Sequence, residues 1–68
     1  MTKQELLQES EKAASLIGRA LSILENLSSE HPELGKFQIG NVDEVVSNLS
    51  VASDVCDHLI GNIKARKE

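Results

Sequence analysis

The sequence predicts an all-α protein, an antiparallel hairpin of two helices that dimerises into a four-helix bundle. Three observations lead to this prediction. Two stretches of heptad-spaced apolar residues flank a segment that contains Pro32, Gly35 and Gly40. Both stretches begin with a residue pattern that caps a helix. The apolar arc of the first stretch is also wider than one partner helix can cover.

The first helix is predicted over residues 3–29. Thr2 and Glu5 have the spacing of a capping box, in which each side chain satisfies the backbone amide of the other residue. Flanking apolar residues widen the arc to about 200°, whereas an ordinary surface helix needs little more than about 100°. Gly18, on the polar side, is either tolerated there or marks a close approach by a partner backbone. The heptad line is Leu7, Ser10, Ala14, Ile17, Leu21 and Leu24.

A loop is predicted over residues 30–41. The residue before a proline avoids helical geometry, so His31 is expected to end the first helix. One short helical turn can follow Pro32. We expect Phe37, the single aromatic residue, to plug the open end of the hairpin together with Leu34 and Ile39. The alternative is that Phe37 forms an exposed hook for a partner.

The second helix is predicted over residues 42–65, with Asn41 as its N-cap and Glu44 at the matching third position. Its charges favour this direction, since acidic residues lie at its start and Lys64 and Arg66 at its end. Val46 and Ile60 widen its apolar stripe on one side. The heptad seam is Val42, Val45, Leu49, Ala52, Cys56, Leu59 and Ile63.

The length of 68 residues predicts one domain, residues 1–68, with a core that is marginal by itself. One cysteine excludes an internal disulfide. Regular helix packing and self-association are the remaining ways to stabilise so small a chain.

The net charge of −4 opposes binding to nucleic acid or to anionic membrane surfaces, because both require clustered basic residues. No apolar run approaches the roughly 20 residues of a membrane span. No signal peptide is recognisable at the start of the sequence, so a cytoplasmic location is predicted. No cofactor is expected, because phosphate-binding glycine loops are missing.

Two groups of residues could carry chemistry, and both favour a structural interpretation. Asp54, Asp57 and His58 have helical spacing suited to a metal or a proton transfer, yet they lie opposite the seam, in water. Cys56 lies in the seam and points away from His58, so an inert core thiol is expected. The alternative for Cys56 is a redox contact across a symmetric dimer. The chain is therefore predicted not to be an enzyme.

The surplus apolar surface is predicted to bind protein, either a second copy of the chain or a different protein. The candidate interface residues are Leu16, Ile17, Ala20, Leu21, Ile23, Leu24, Leu27, Phe37, Val46 and Ile60. The function predicted from this surface is that of a non-enzymatic interaction module: a small adaptor, inhibitor or chaperone that acts through helical apolar faces.

The layout also resembles the small hairpin co-chaperones that hold type III secretion needle subunits. The points of likeness are the length, the heptad-patterned helices and the Phe37-Gln38 step in the loop. Small accessory proteins of bacteriophages or mobile elements share this layout, and some block a host protein. The resemblance implies a small bacterial or phage binding protein. The least favoured alternative is a metal- or thiol-dependent enzyme built on Asp54, Cys56, Asp57 and His58.

Overall fold

The chain is an all-helical hairpin in a computed structural model that describes residues 1–66. Helix α1 spans Lys3–Glu30, a short 3₁₀ turn spans Pro32–Gly35, and helix α2 spans Val42–Lys64. The described residues contain no β-strand. The predicted all-α class is confirmed, and the observed helices differ from the predicted bounds by one residue at each C-terminal end.

Helix α1 begins where its capping box is complete. The Thr2 hydroxyl accepts a hydrogen bond from the Glu5 amide at 3.2 Å. The Glu5 carboxylate in turn accepts from the Thr2 amide at 3.3 Å. Two amides at the helix start, which have no partner within the helix, are thus satisfied by side chains. The helix ends at Glu30, and the amide of the next residue, His31, donates to the Leu27 carbonyl.

Asn41 both starts α2 and holds the loop that precedes it. Its side-chain oxygen accepts from the Glu44 amide at 2.8 Å, as an N-cap does. Its side-chain nitrogen donates to the Phe37 carbonyl at 3.0 Å. Gly40 directly precedes it with a φ of 76°, a conformation that other residues adopt at a cost. One glycine and one asparagine therefore set the turn into α2.

Two contacts fix the antiparallel register of the helices. The Cys56 thiol lies 3.8 Å from the Ser10 carbonyl oxygen, about two turns from the start of α1. The Lys3 ammonium donates to the Arg66 carbonyl at 2.8 Å, at the end where the chain termini meet. As residue numbers rise along α1, the numbers of the α2 residues at the same height therefore fall.

The helices meet along one heptad line from each, which we call the inner seams. The α1 inner seam comprises Lys3, Leu7, Ser10, Ala14, Ile17, Leu21, Leu24 and Ser28, all half-buried. The α2 inner seam comprises Val42, Val46, Leu49, Ser53, Cys56, Ile60 and Ile63, all buried or half-buried. Small residues at the middle of both seams fit a close approach of the two helices.

The α2 inner seam differs from the seam that the sequence predicts. Val45 and Leu59 are exposed, whereas Val46 and Ile60 face α1. Ser53 also takes the place of Ala52. The predicted and observed lines share their remaining members, which are Val42, Leu49, Cys56 and Ile63. Periodicity alone could not choose between the two lines, because a helix with a wide apolar arc offers both.

The expectation that Phe37 and Ile39 plug the open end of the hairpin is wrong. Ile39 is 90% exposed and Phe37 is 54% exposed. Leu34, in the 3₁₀ turn, is half-buried against the helices. The Asn41 side chain donates to the Phe37 carbonyl, and the Phe37 side chain remains largely exposed.

The hairpin buries little of its own apolar surface. Among the described residues only Val42 and Ile63 are buried, with 6% and 7% of their surface exposed. The molecule measures 50 × 17 × 15 Å, and its radius of gyration is 15.3 Å. A compact domain of this length has a radius of gyration of about 11 Å. The elongated shape leaves most side chains within reach of solvent or of a partner.

Candidate functional site: the outer apolar face

A second heptad line runs along α1 beside the inner seam. This α1 outer seam comprises Ala13, Leu16, Ala20, Ile23 and Leu27. Leu16 is 55% exposed and Ile23 is 64% exposed. The spacing of three and four residues is the spacing at which a helix packs along another helix. The line is therefore a packing surface without a partner in the hairpin.

Helix α2 carries a matching line. This α2 outer seam comprises Val45, Asn48, Ala52, Val55 and Leu59. Val55 is 59% exposed, and Val51 extends the apolar surface beyond it with a similar exposure. Asn48 is the one polar member. Polar residues at such seam positions commonly set the register of a helix bundle at some cost in stability.

Both outer seams lie on the same side of the hairpin. Successive residues of an α-helix are rotated by about 100°, which displaces each outer seam by roughly a quarter turn from its inner seam. On both helices each outer-seam residue directly precedes an inner-seam residue, so the rotation about the helix axis has the same sense on α1 and α2 when each is viewed from its N-terminus. Because the helices run antiparallel, the same sense turns both seams toward one side. Together they form a single apolar surface, the outer apolar face.

The opposite side of the hairpin is polar and acidic. By the same rotation, Glu11 and Glu25 of α1 lie on that side, as do Asp54 and Asp57 of α2. All four side chains are exposed. Gly18 lies there as well, and a Cβ added to it would meet no atom within 4 Å. The hairpin is thus amphipathic as a whole, with one apolar and one acidic face.

The predicted interface residues divide between the two kinds of seam. Leu16, Ala20, Ile23 and Leu27 lie in the α1 outer seam. Phe37 is exposed in the loop. The structure places the remaining candidates in the inner seams, where they hold the hairpin together; these are Ile17, Leu21, Leu24, Val46 and Ile60.

The sequence reasoning missed the α2 half of this face. Val51 and Val55 were assigned to no surface, and Val45 and Leu59 were assigned to the hairpin seam. A usable signal existed, because Val45, Ala52 and Leu59 recur every seven residues, with Asn48 and Val55 between them at heptad spacing. The heptad seam predicted for α2 combines members of both lines, so the pattern does not separate the second line from the first.

The residues considered for chemistry are not brought together. Asp54, Asp57 and His58 are all exposed on α2. Cys56 is half-buried against the Ser10 carbonyl, on the inner side of the helix. Nowhere within residues 1–66 do three or more His, Cys, Asp or Glu side chains come together in a way that could hold a metal ion.

His31 contacts an acidic group at the start of the loop. Its Nδ1 lies 3.3 Å from the Glu33 carboxylate, and both side chains are largely exposed. A surface pair of this kind contributes little to stability. The part of the chain that the structure describes encloses no cavity for a small ligand. The outer apolar face is therefore the main candidate for a functional surface.

Comparisons with protein-family models, with curated proteins and with solved structures found no match to this chain. Within residues 1–66, no helix is both long enough and apolar enough to cross a membrane. The fold and the site define the molecule by class, as an amphipathic helical hairpin with an uncovered apolar face.

Proposed function

We propose that the chain is a non-enzymatic protein-interaction module whose outer apolar face binds other helices, in the first place those of a second copy. The product is a homodimeric four-helix bundle with an isologous interface, in which the same surface is used by both subunits. The single observation that carries the proposal is the exposed second seam on each helix.

The amount of exposed surface supports this proposal. The chain exposes 5169 Å². A compact monomer of 7.4 kDa is expected to expose about 4,200 Å². The difference is roughly 1,000 Å², and a stable interface buries about 800 Å² on each partner. The excess of exposed surface over that of a compact monomer is thus comparable to the area that one chain contributes to a dimer interface.

The pattern of residues supports it as well. A helix in a four-helix bundle packs against two neighbours, so it needs two adjacent seams. Both α1 and α2 have two. In the isolated hairpin only the inner seams are occupied. The outer seams supply the additional contacts that a bundle requires, and they supply them on a single side.

The distribution of charge permits two copies to meet through this face. Each chain has a net charge of −4, which opposes association if the charges are close together. Neither outer seam, from Ala13 to Leu27 and from Val45 to Leu59, contains an ionisable side chain. The acidic residues on the opposite side would point away from the partner, where salt screens them.

The same face could hold a helix of a different protein, as an adaptor, inhibitor or chaperone would. An amphipathic helix in an apolar groove is a common mode of recognition. Self-association is favoured here because the uncovered area matches one dimer interface. A foreign helix would then compete with the second copy for the outer apolar face.

The experiment compares two neighbouring substitutions on α1 by sedimentation and circular dichroism. Ile23→Glu places a carboxylate in the outer apolar face. Ser22→Glu places the same group on the exposed polar side, one residue away. We expect the parent and Ser22→Glu to sediment with the mass of two chains. We expect Ile23→Glu to sediment as one chain, with lower helicity at the same concentration.

A parent protein that sediments as a single chain at all concentrations, with Ile23→Glu equally helical, would contradict the dimer. Equal dissociation by Ser22→Glu would show that added charge matters and that its position does not. Leu16→Glu repeats the test at a second outer-seam position, half the length of α1 away from the loop. Agreement between Ile23→Glu and Leu16→Glu would assign the effect to the face as a whole.

A further inference from the structure

We infer that Asn48 is the residue that determines the specificity of the dimer, through a hydrogen bond between its side-chain amide and that of Asn48 in the second copy. This inference rests on the proposed function and adds the contact that fixes how the two outer apolar faces meet. It places the two-fold axis of the dimer beside Asn48, because only there can a residue meet its own counterpart.

The Asn48 side chain has no hydrogen-bond partner within the hairpin. It is exposed, and among residues 1–66 no other group bonds to its amide. The side chain of Asn41, by contrast, both accepts from the Glu44 amide and donates to the Phe37 carbonyl. Asn48 is therefore not needed as a cap or as a loop contact. Water satisfies its amide in the free hairpin, so its cost there is small.

A partner on the outer apolar face changes the surroundings of this amide. Asn48 lies between Val45 and Ala52 on the α2 outer seam, so a helix packed along the seam covers it. A covered amide that loses water without gaining a hydrogen bond costs free energy. The dimer therefore has to provide both an acceptor for the amide nitrogen and a donor for the amide oxygen.

The second copy provides both groups at one position. The other members of the outer seams, from Ala13 to Leu27 and from Val45 to Leu59, are all apolar. Asparagine carries a donor and an acceptor, so two Asn48 amides can exchange a reciprocal pair of hydrogen bonds across a two-fold axis. The guanidinium of Arg19, which directly precedes the α1 outer seam residue Ala20, only donates and would leave the amide nitrogen unpaired.

The pair of amides selects against other partners. A foreign helix with only apolar side chains would leave the Asn48 amide covered and unbonded. A shifted register of the two copies would do the same, because it sets Asn48 against an apolar residue. Discrimination of this kind arises from the penalty on wrong pairings, and a single asparagine in a helix seam is a common source of it.

The test places opposite charges at this position and follows mass by sedimentation and helicity by circular dichroism at neutral pH. Asn48→Asp alone and Asn48→Lys alone should each sediment as one chain, because like charges would meet within the face. An equimolar mixture of the two should sediment with the mass of two chains, because the opposite charges pair. If the separate variants also lose helix, the mixture should recover it.

The controls are Ser47→Asp and Ser47→Lys, which carry the same charges at the neighbouring exposed position outside both seams. Each should keep the two-chain mass, alone and in their mixture. Loss of that mass would attribute the effect to charge anywhere on α2 and would overturn the inference.

Two other results overturn the inference but leave the dimer intact. In one, both Asn48 variants dissociate and their mixture still sediments as one chain, so the two side chains do not meet. In the other, either Asn48 variant alone keeps the two-chain mass while Ile23→Glu loses it. Asn48→Asp alone would do so if its carboxylate bonded Arg19. A parent protein that itself sediments as one chain overturns the proposed function as well.

Discussion

The inner and outer seams of this hairpin have similar spacing but different surroundings. Leu24 of the inner seam is half-buried against α2, while Ile23, the next residue back, is 64% exposed. Heptad spacing therefore identifies residues that can pack and does not say what they pack against. In this molecule one seam of each helix is used within the chain, and the other is left largely exposed.

The two sides of the hairpin differ just as clearly. The outer apolar face carries Leu16, Ile23 and Val55, and the opposite face carries acidic side chains. A lone helical pair of this size has too little interior to be stable by itself. Under the proposed function, the stability of the fold and the binding of a partner are therefore linked. Substitutions can separate the two, because each seam can be changed alone.

The largest effect is expected for Leu24→Glu, within the inner seam. A carboxylate between the two helices would lose its hydration without gaining a partner, so the hairpin should unfold. Circular dichroism should show loss of helix at any concentration. Ile23→Glu is the matched variant, and it should regain helix as concentration rises. A folded, dimeric Leu24→Glu protein would contradict the assignment of Leu24 to the inner seam.

Leu49→Ala should lower the free energy of unfolding by about 2–3 kcal/mol. Leu49 is half-buried in the α2 inner seam, and truncation removes apolar contact and leaves a gap. Urea unfolding at fixed protein concentration measures the change. Ser47→Ala, at an exposed position of the same helix, serves as the control and should change the value by less than about 0.5 kcal/mol. Equal effects of the two substitutions would contradict the inner seam.

Asn41→Ala should cost about 1 kcal/mol, the usual cost of losing an N-cap. The substitution removes the bond to the Glu44 amide and also the bond to the Phe37 carbonyl. Hydrogen exchange should therefore quicken in the first turn of α2 and in the loop. Asn41→Asp separates the two roles, since it keeps the cap and loses the donor to Phe37. Unchanged exchange in Asn41→Ala would contradict both contacts.

The smallest effect is expected for Gly18→Ala, which should stabilise the protein by roughly 0.5–1 kcal/mol. Alanine is the better helix former, and the added methyl group meets no atom in the hairpin. Thermal unfolding measures the gain. The sequence left open a close approach of a partner backbone at Gly18. If Gly18→Ala weakened dimerisation instead, the partner would lie on the acidic side and the proposed use of the outer apolar face would be wrong.

Much of the local structure could be predicted from particular residues. The Thr2 and Glu5 pair marked the start of α1, and Asn41 with Glu44 marked the start of α2. Caps act within one turn, so their effect does not depend on distant parts of the chain. Pro32 likewise ended α1 through its restriction on His31. These predictions needed nothing beyond the chain itself.

The site was harder to predict. Leu16, Ile23 and Leu27 were expected at an interface, but so were Leu21 and Leu24, which face α2 instead. Val55 belongs to none of the surfaces that the sequence predicts. Phe37 was expected to be covered, yet 54% of it is exposed. Periodicity could not separate Leu21 and Leu24 from the outer seam, because both lines of α1 have the same spacing, and no periodicity applies to Phe37 in the loop.

The sequence by itself determined that the chain forms two capped, amphipathic helices joined by a short link, because propensity, capping and apolar periodicity are local properties. Only the tertiary structure decided which line of each helix became the inner seam. That choice depends on how side chains such as Ser10 and Cys56 fit across the pair, and fit is a property of two surfaces together. The same choice placed both remaining lines on one side and so created the outer apolar face.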